Sequence, residues 1–239
     1  MNIRLVDQDS PDAAPLLREL HEKVLFPSFS AEEYIPPTTF EPTGELALIA
    51  RGDDGVVLGG ALGEVYSTAV LLAYLAVRPG LRGGGVGSTL LAAVRDRWPA
   101  RRPVMFVELD DPRHHEPDPG YGDPAARLRF YGTSGTRLLA IPYFQPRLRG
   151  DLPRGYHLFL GVIAPDGTAP PPTMPASQVT GFLREYFKDC EGSEALDDPE
   201  VRWLLDTIGE QEEIGLVGTT EYQGLTDAVP PGMSLPGTR

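Results

Sequence analysis

The stretch that most limits what this chain can fold into is residues 69–91, AVLLAYLAVRPGLRGGGVGSTLL. Val70 to Val77 is an apolar run of strand length. Arg78-Pro79-Gly80 ends it, because proline lacks the ladder donor and the glycine accepts turn angles. Arg82-Gly83-Gly84-Gly85-Val86-Gly87-Ser88 then runs into a helical pattern of Val86, Leu90, Leu91, Val94 and Trp98. Strand, glycine-rich turn and helix together point several backbone N–H groups and the positive end of a helix dipole at one spot. With no Cβ at 83, 84, 85 and 87, a diphosphate can approach the backbone, and Arg82 adds a charge at the rim. The stretch reads as an anion cradle.

Three glycine-rich templates compete for it. A P-loop fails, because Val86 stands where its lysine belongs. A dinucleotide fingerprint is weakened by the spacing of Gly83, Gly85 and Gly87, although Glu108 and Asp110 end the next strand as its acid would. The third template, R/Q-x-x-G-x-G/A after a strand, is met without a gap by Arg82-Gly83-Gly84-Gly85-Val86-Gly87, preceded by Leu75-Ala76-Val77-Arg78-Pro79. On these residues the chain resembles the GNAT superfamily of acyl-CoA-dependent N-acyltransferases, over roughly residues 1–165. The order of elements agrees. The runs 45–51, 56–66 and 70–77 are joined by Gly52–Gly55 and by Ser67-Thr68, links so short that the strands must be antiparallel. A dinucleotide-binding unit crosses over through helices instead.

The rest of the chain is read around that centre. Asn2 to Val6 alternates as a first strand, and a first helix after Ser10-Pro11-Asp12 buries Leu16, Leu17, Leu20 and Val24. Pro103 to Leu109 is a strand reached by a crossover, hence parallel to 70–77. Residues 110–123 form a loop, Asp123-Pro124 opens a short helix, and 136–145 with 156–163 form a closing antiparallel pair. Residues 166–175 read as a proline-rich linker and 176–239 as a C-terminal helical extension with a loose tail from about 226. Packing of that extension on the domain, or on a second subunit in a homodimer, are both open. The expected fold is α/β, with a mixed, mostly antiparallel sheet splayed at two parallel strands and helices on both faces.

Composition excludes some classes of partner. A net charge of −13 speaks against nucleic acid and could favour cationic amines, or could simply serve solubility. The longest apolar run, Ala69 to Val77, falls far short of a membrane span, and MNIRLVDQDS has no apolar leader core. A single cysteine, Cys190, fits a reducing, cytoplasmic setting. His114-His115 lies in an acidic loop, but neither H-E-x-x-H nor paired cysteines are present, so no metal is expected.

The resemblance implies the remaining roles. Leu75, Ala76, Val77, Arg82, Gly83, Gly84, Gly85, Val86, Gly87 and Ser88 would hold acetyl-CoA or another short acyl-CoA. Phe26, Phe29, Glu32, Glu33 and Tyr34, in the region that lies over the family's acceptor site, are candidates for contact with a small-molecule or peptide amine. Phe130-Tyr131-Gly132-Thr133-Ser134-Gly135-Thr136 resembles the family's F-Y-x-x-x-G-F signature with threonine replacing the last aromatic, and Tyr131 is the candidate general acid. Many members carry a glutamate on the strand before the glycine loop, but Val70 to Val77 contains no acid. Glu108 is the best substitute base and Glu64 the second. The missing acid keeps open a non-catalytic acyl-CoA-binding or protein-interaction module of the same fold.

Overall fold

The computed structural model describes residues 2–37, 46–165 and 168–227. In chain order it runs β1 (Arg4–Asp7), α1 (Ala13–Leu20, continued by a π-helical turn His21–Leu25), β2 (Leu46–Arg51), β3 (Val57–Val65) and β4 (Val70–Val77). Then come α2 (Val86–Arg97), β5 (Met105–Asp110), α3 (Pro124–Thr133), β6 (Arg137–Leu139) and β7 (Leu158–Ile163). The C-terminal part holds β8 (Thr173–Pro175), α4 (Ala176–Glu191), α5 (Pro199–Gly209) and β9 (Glu213–Gly218). Among the described residues no helix is long and apolar enough to cross a membrane.

The strands form one sheet in the order β1-β2-β3-β4-β5-β7-β6-β9-β8. Among the described residues only β4 and β5 pair in parallel; every other neighbouring pair is antiparallel. The β2–β3–β4 meander follows from its turns, closed by Gly52 N–H to Val56 C=O (2.9 Å) and Tyr66 N–H to Ala69 C=O (2.9 Å). Alternation along each strand then feeds both faces. Val70, Leu72, Met105 and Val107 pack under α2 and α3, while Leu71, Phe106 and Leu160 pack under α4 and α5. α1 covers Ala47, Ile49 and Ala76 through Leu16, Leu17, Leu20 and Val24. β3 admits helices closely on both sides. A Cβ on Gly60 would lie 2.5 Å from Leu20, and one on Gly63 would lie 2.5 Å from the Trp98 ring.

One irregularity organises the centre. β3 advances by one residue, Leu62 to Gly63, while its β4 partners step from Tyr74 to Leu72. Ala73 is therefore the extra residue of a bulge, which bends the strand and flips its alternation. Beyond it Tyr74 and Ala76 face α1, and Leu75 and Val77 face α2. The parallel pairing also stops there, at Leu72↔Val107. The two strands are splayed from the bulge onward.

Two expectations need correction. The strand expected over 136–145 is only Arg137–Leu139, because Pro142 and Pro146 cannot donate to a ladder. The chain then runs irregularly to an isolated bridge between Gln145 and Gly155. The linker and helical extension also carry strands: β9 joins the central sheet beside β6, with Leu138↔Val217, and β8 forms its edge. Arg154 fastens α4 and α5 to the irregular segment. It is 2% exposed and bonds Glu191, Asp198 and Glu200 at 2.8–2.9 Å, with its guanidinium over the Phe144 and Phe187 rings. Most of the expected tail lies outside the described residues.

Candidate active site

The turn after β4 is built by left-handed glycines. Gly83 (φ +84°) and Gly85 (φ +82°) take angles that other residues rarely adopt, and a Cβ on either would project into open space. Gly85 caps α2 without a side-chain cap, and the first helical bond runs from Thr89 N–H to Gly85 C=O (3.0 Å). Among the described residues, the amides of Gly83, Gly85, Val86, Gly87 and Ser88 donate to no protein group. They are the orphan donors of a helix start, at the positive end of its dipole. Beside them lies a cavity of about 420 Å³ lined by Leu75, Ala76, Val77, Arg82, Gly83, Gly85, Gly87 and Ser88, with Phe130 also in its wall. Gly84 and Val86 are outside that lining, and the Val86 side chain is buried against the sheet. Arg82 reaches across the mouth to the Gly120 carbonyl (3.1 Å).

The cavity continues. Phe29, Tyr121 and Arg127 also line a second space of about 420 Å³, which runs past Ala73 and Tyr74 to Glu108. A third, of about 320 Å³, shares Glu33, Ala73, Tyr74, Glu108, Gln145 and Leu148 with the second and adds Glu64, Asp189 and Cys190. The bulge and the end of β4–β5 pairing thus lie where these spaces meet, with Glu108 at the junction.

Glu108 is held by three donors. Tyr143 OH bonds Oε1, while Gln145 Nε2 (2.7 Å) and Tyr186 OH (3.1 Å) bond Oε2. Burial raises its proton affinity most; the three donors lower it and the Glu64 charge adds to the rise, leaving a pKa of about 7 against an ordinary 4.5. Glu64 accepts from Tyr66 OH (2.7 Å). His21 lines the third space with its proton affinity pushed down to about 4 by burial, so it is neutral near pH 7.

Placement separates the sequence candidates. Phe29, Glu32 and Glu33 line the cavities. Tyr34 is buried against His21, bonded through its hydroxyl, and Phe26 lies outside at 68% exposure; neither reaches these spaces. Tyr131 also lies apart from these spaces. It is 5% exposed in the core with Leu128 and lines none of the three cavities. One helical step of about 100° separates it from Phe130, so when Phe130 meets the cradle Tyr131 turns into the sheet. The sequence reading missed Tyr121, Arg127, Tyr143, Gln145 and Tyr186. For Tyr186, on the helix that opens the C-terminal extension, the available signal was its hydroxyl, since a buried tyrosine needs a partner. In the acidic loop, Asp111, His114 and Asp227 bring ligand atoms within 4.8 Å of one another, but Arg113 bonds both carboxylates.

The GNAT acetyltransferase family model matches residues 14–115. No curated protein matches the chain significantly. Among solved structures, a Bacteroides thetaiotaomicron protein described as an acetyltransferase of the GNAT family superposes with a TM-score of 0.55 at 17% identity, covering 81% of this chain and 99% of its own. A Salmonella typhimurium protein described as an acetyltransferase with its cofactor acetyl-CoA gives 0.47 at 19% identity, over 72% of this chain and 98% of its own. An Elizabethkingia anophelis GNAT family acetyltransferase with acetyl-CoA bound gives 0.44 at 15%, over 68% and 98%. At 17% identity the first likeness is one of fold.

Proposed function

We propose that this chain, which carries a GNAT acetyltransferase domain matched over residues 14–115 and has a GNAT fold, moves an acyl group, acetyl by preference, from acyl-CoA to a primary amine. One observation carries the reading: Gly83, Gly85, Gly87 and Ser88, whose amides have no partner among the described residues, line a cavity that continues along the unpaired end of β4 to the partly buried Glu108 carboxylate. Acyl-CoA would supply the activated thioester. The glycine amides and Arg82 would hold its diphosphate, and free N–H groups near Ala76 and Val77 would polarise the thioester oxygen.

Glu108 then takes the proton of an acceptor ammonium. With a pKa of about 7 it is divided between acid and base near neutrality, as a general base should be. The freed amine attacks the thioester carbon directly, the C–N bond forms and the C–S bond breaks, so orientation in a ternary complex supplies much of the rate. Tyr121, the one tyrosine among the described residues that lines both the cradle cavity and the Glu108 cavity, would give the departing thiolate a proton. Glu32, Glu33, Glu64, Asp110 and Asp189 around the acceptor spaces suit a cationic amine.

The second reading, an acyl-CoA-binding module without turnover, is favoured by the burial of Tyr131. Thiol release from acetyl-CoA across an amine panel, with calorimetric titration of coenzyme A, separates them. Turnover that disappears in Glu108→Gln supports the enzyme, binding without turnover on any amine supports the module, and failure to bind coenzyme A refutes both. The absence of a long apolar helix, among the described residues, suits a cytoplasmic setting.

A further inference from the structure

We infer that Tyr186 on α4 is a positioning residue for Glu108, so that the C-terminal extension, beyond the family match, completes the catalytic unit. The inference rests on the reading of Glu108 as the base. Gln145 and Tyr143 approach the carboxylate from the irregular segment after β6, and Tyr186 closes it from the helix. The Tyr186 ring is fully packed. It stacks on Phe182 with centroids 5.5 Å apart and meets Tyr66 edge-on at 5.8 Å, which fixes the ring with its hydroxyl on Glu108.

The groups facing Glu108 set the sign of the effect. Glu64 on β3 opposes its ionisation, and Glu33 and Asp189 line the same cavity. Tyr74 on β4, Tyr143, and Tyr186 and Cys190 on α4 stay neutral because burial raises each. His21 beside α1 is neutral because burial lowers it. Hydrogen-bond donors are therefore what keeps the ionised form accessible, and loss of one raises the proton affinity of Glu108.

Tyr186→Phe keeps the ring and removes the donor. The expected result is that the acid limb of kcat/KM, and the Glu108 carboxyl titration followed by 13C NMR, both move up by about one pH unit, a tenfold change in proton affinity. Site-specific 3-fluorotyrosine at 186, a stronger donor in the same space, should move both downward, and it serves if Tyr186→Phe does not fold. An unchanged carboxyl midpoint in the folded variant overturns the inference. The NMR titration needs no turnover, so it stands apart from the reading of Glu108 as the base, which an active Glu108→Gln would overturn.

Discussion

Replacing Glu108 by glutamine should change how stability depends on pH, by an amount the structure sets. The Glu108 carboxyl has a pKa of about 7 in the fold and about 4.5 in the unfolded chain, so full ionisation in place costs about 3 kcal/mol. The sign follows from proton binding. Between pH 4.5 and 7 the folded state keeps a proton that the unfolded chain has released, so stability falls as pH rises through this window. Below pH 4.5 the contribution is fully present, and above 7 it is lost. Glu108→Gln carries no such proton, so the stability of wild type relative to the variant should drop by about 3 kcal/mol from pH 4.5 to pH 8. His21 titrates in the opposite sense, its folded value being about 4, but it is common to both proteins and cancels in the difference. Urea unfolding of both proteins at half-unit pH steps reads the quantity. Parallel stability curves would refute the claim that Glu108 is held ionisable at a cost in stability.

Other expectations concern the cradle, the tyrosines and the C-terminal clamp. Gly85→Ala should cost about 1–2 kcal/mol through its left-handed φ and weaken coenzyme A binding by filling the cradle, whereas Gly87→Ala, whose Cβ would sit an ordinary 3.5 Å from Val77, should bind nearly as wild type; calorimetry distinguishes them. Tyr121→Phe should lower kcat while Tyr131→Phe leaves it near wild type, and the reverse pattern in steady-state assays would restore Tyr131 as the acid. Arg154→Met should destabilise by about 2–3 kcal/mol in denaturant melts, because Glu191 loses one of its two arginine partners and keeps only Arg147.

The pattern Arg82-Gly83-Gly84-Gly85-Val86-Gly87 located the donor-rich turn because its geometry is local: positive φ, absent Cβ atoms and an uncapped helix start are properties of consecutive residues. The meander and the parallel crossover were equally legible, since short turns allow only antiparallel neighbours. β9 is masked by the two stronger helical patterns before it, although Glu213-Ile-Gly-Leu-Val-Gly alternates as a strand should. That Phe130 and not Tyr131 lines the cavity was not legible, because an i to i+1 step on a helix is a change of face, which a motif does not encode.

What the residues determined unaided is a strand, a donor-rich turn and a helix, with glutamates on the neighbouring strands. Only tertiary packing decided what Glu108 can do. Its donors Tyr143 and Tyr186 lie 35 and 78 positions along the chain, and its proton affinity comes from the burial they share. Desolvation and long-range hydrogen bonds depend on which segments meet. The bulge at Ala73, the irregular course after Leu139 and the return of α4 bring those segments together.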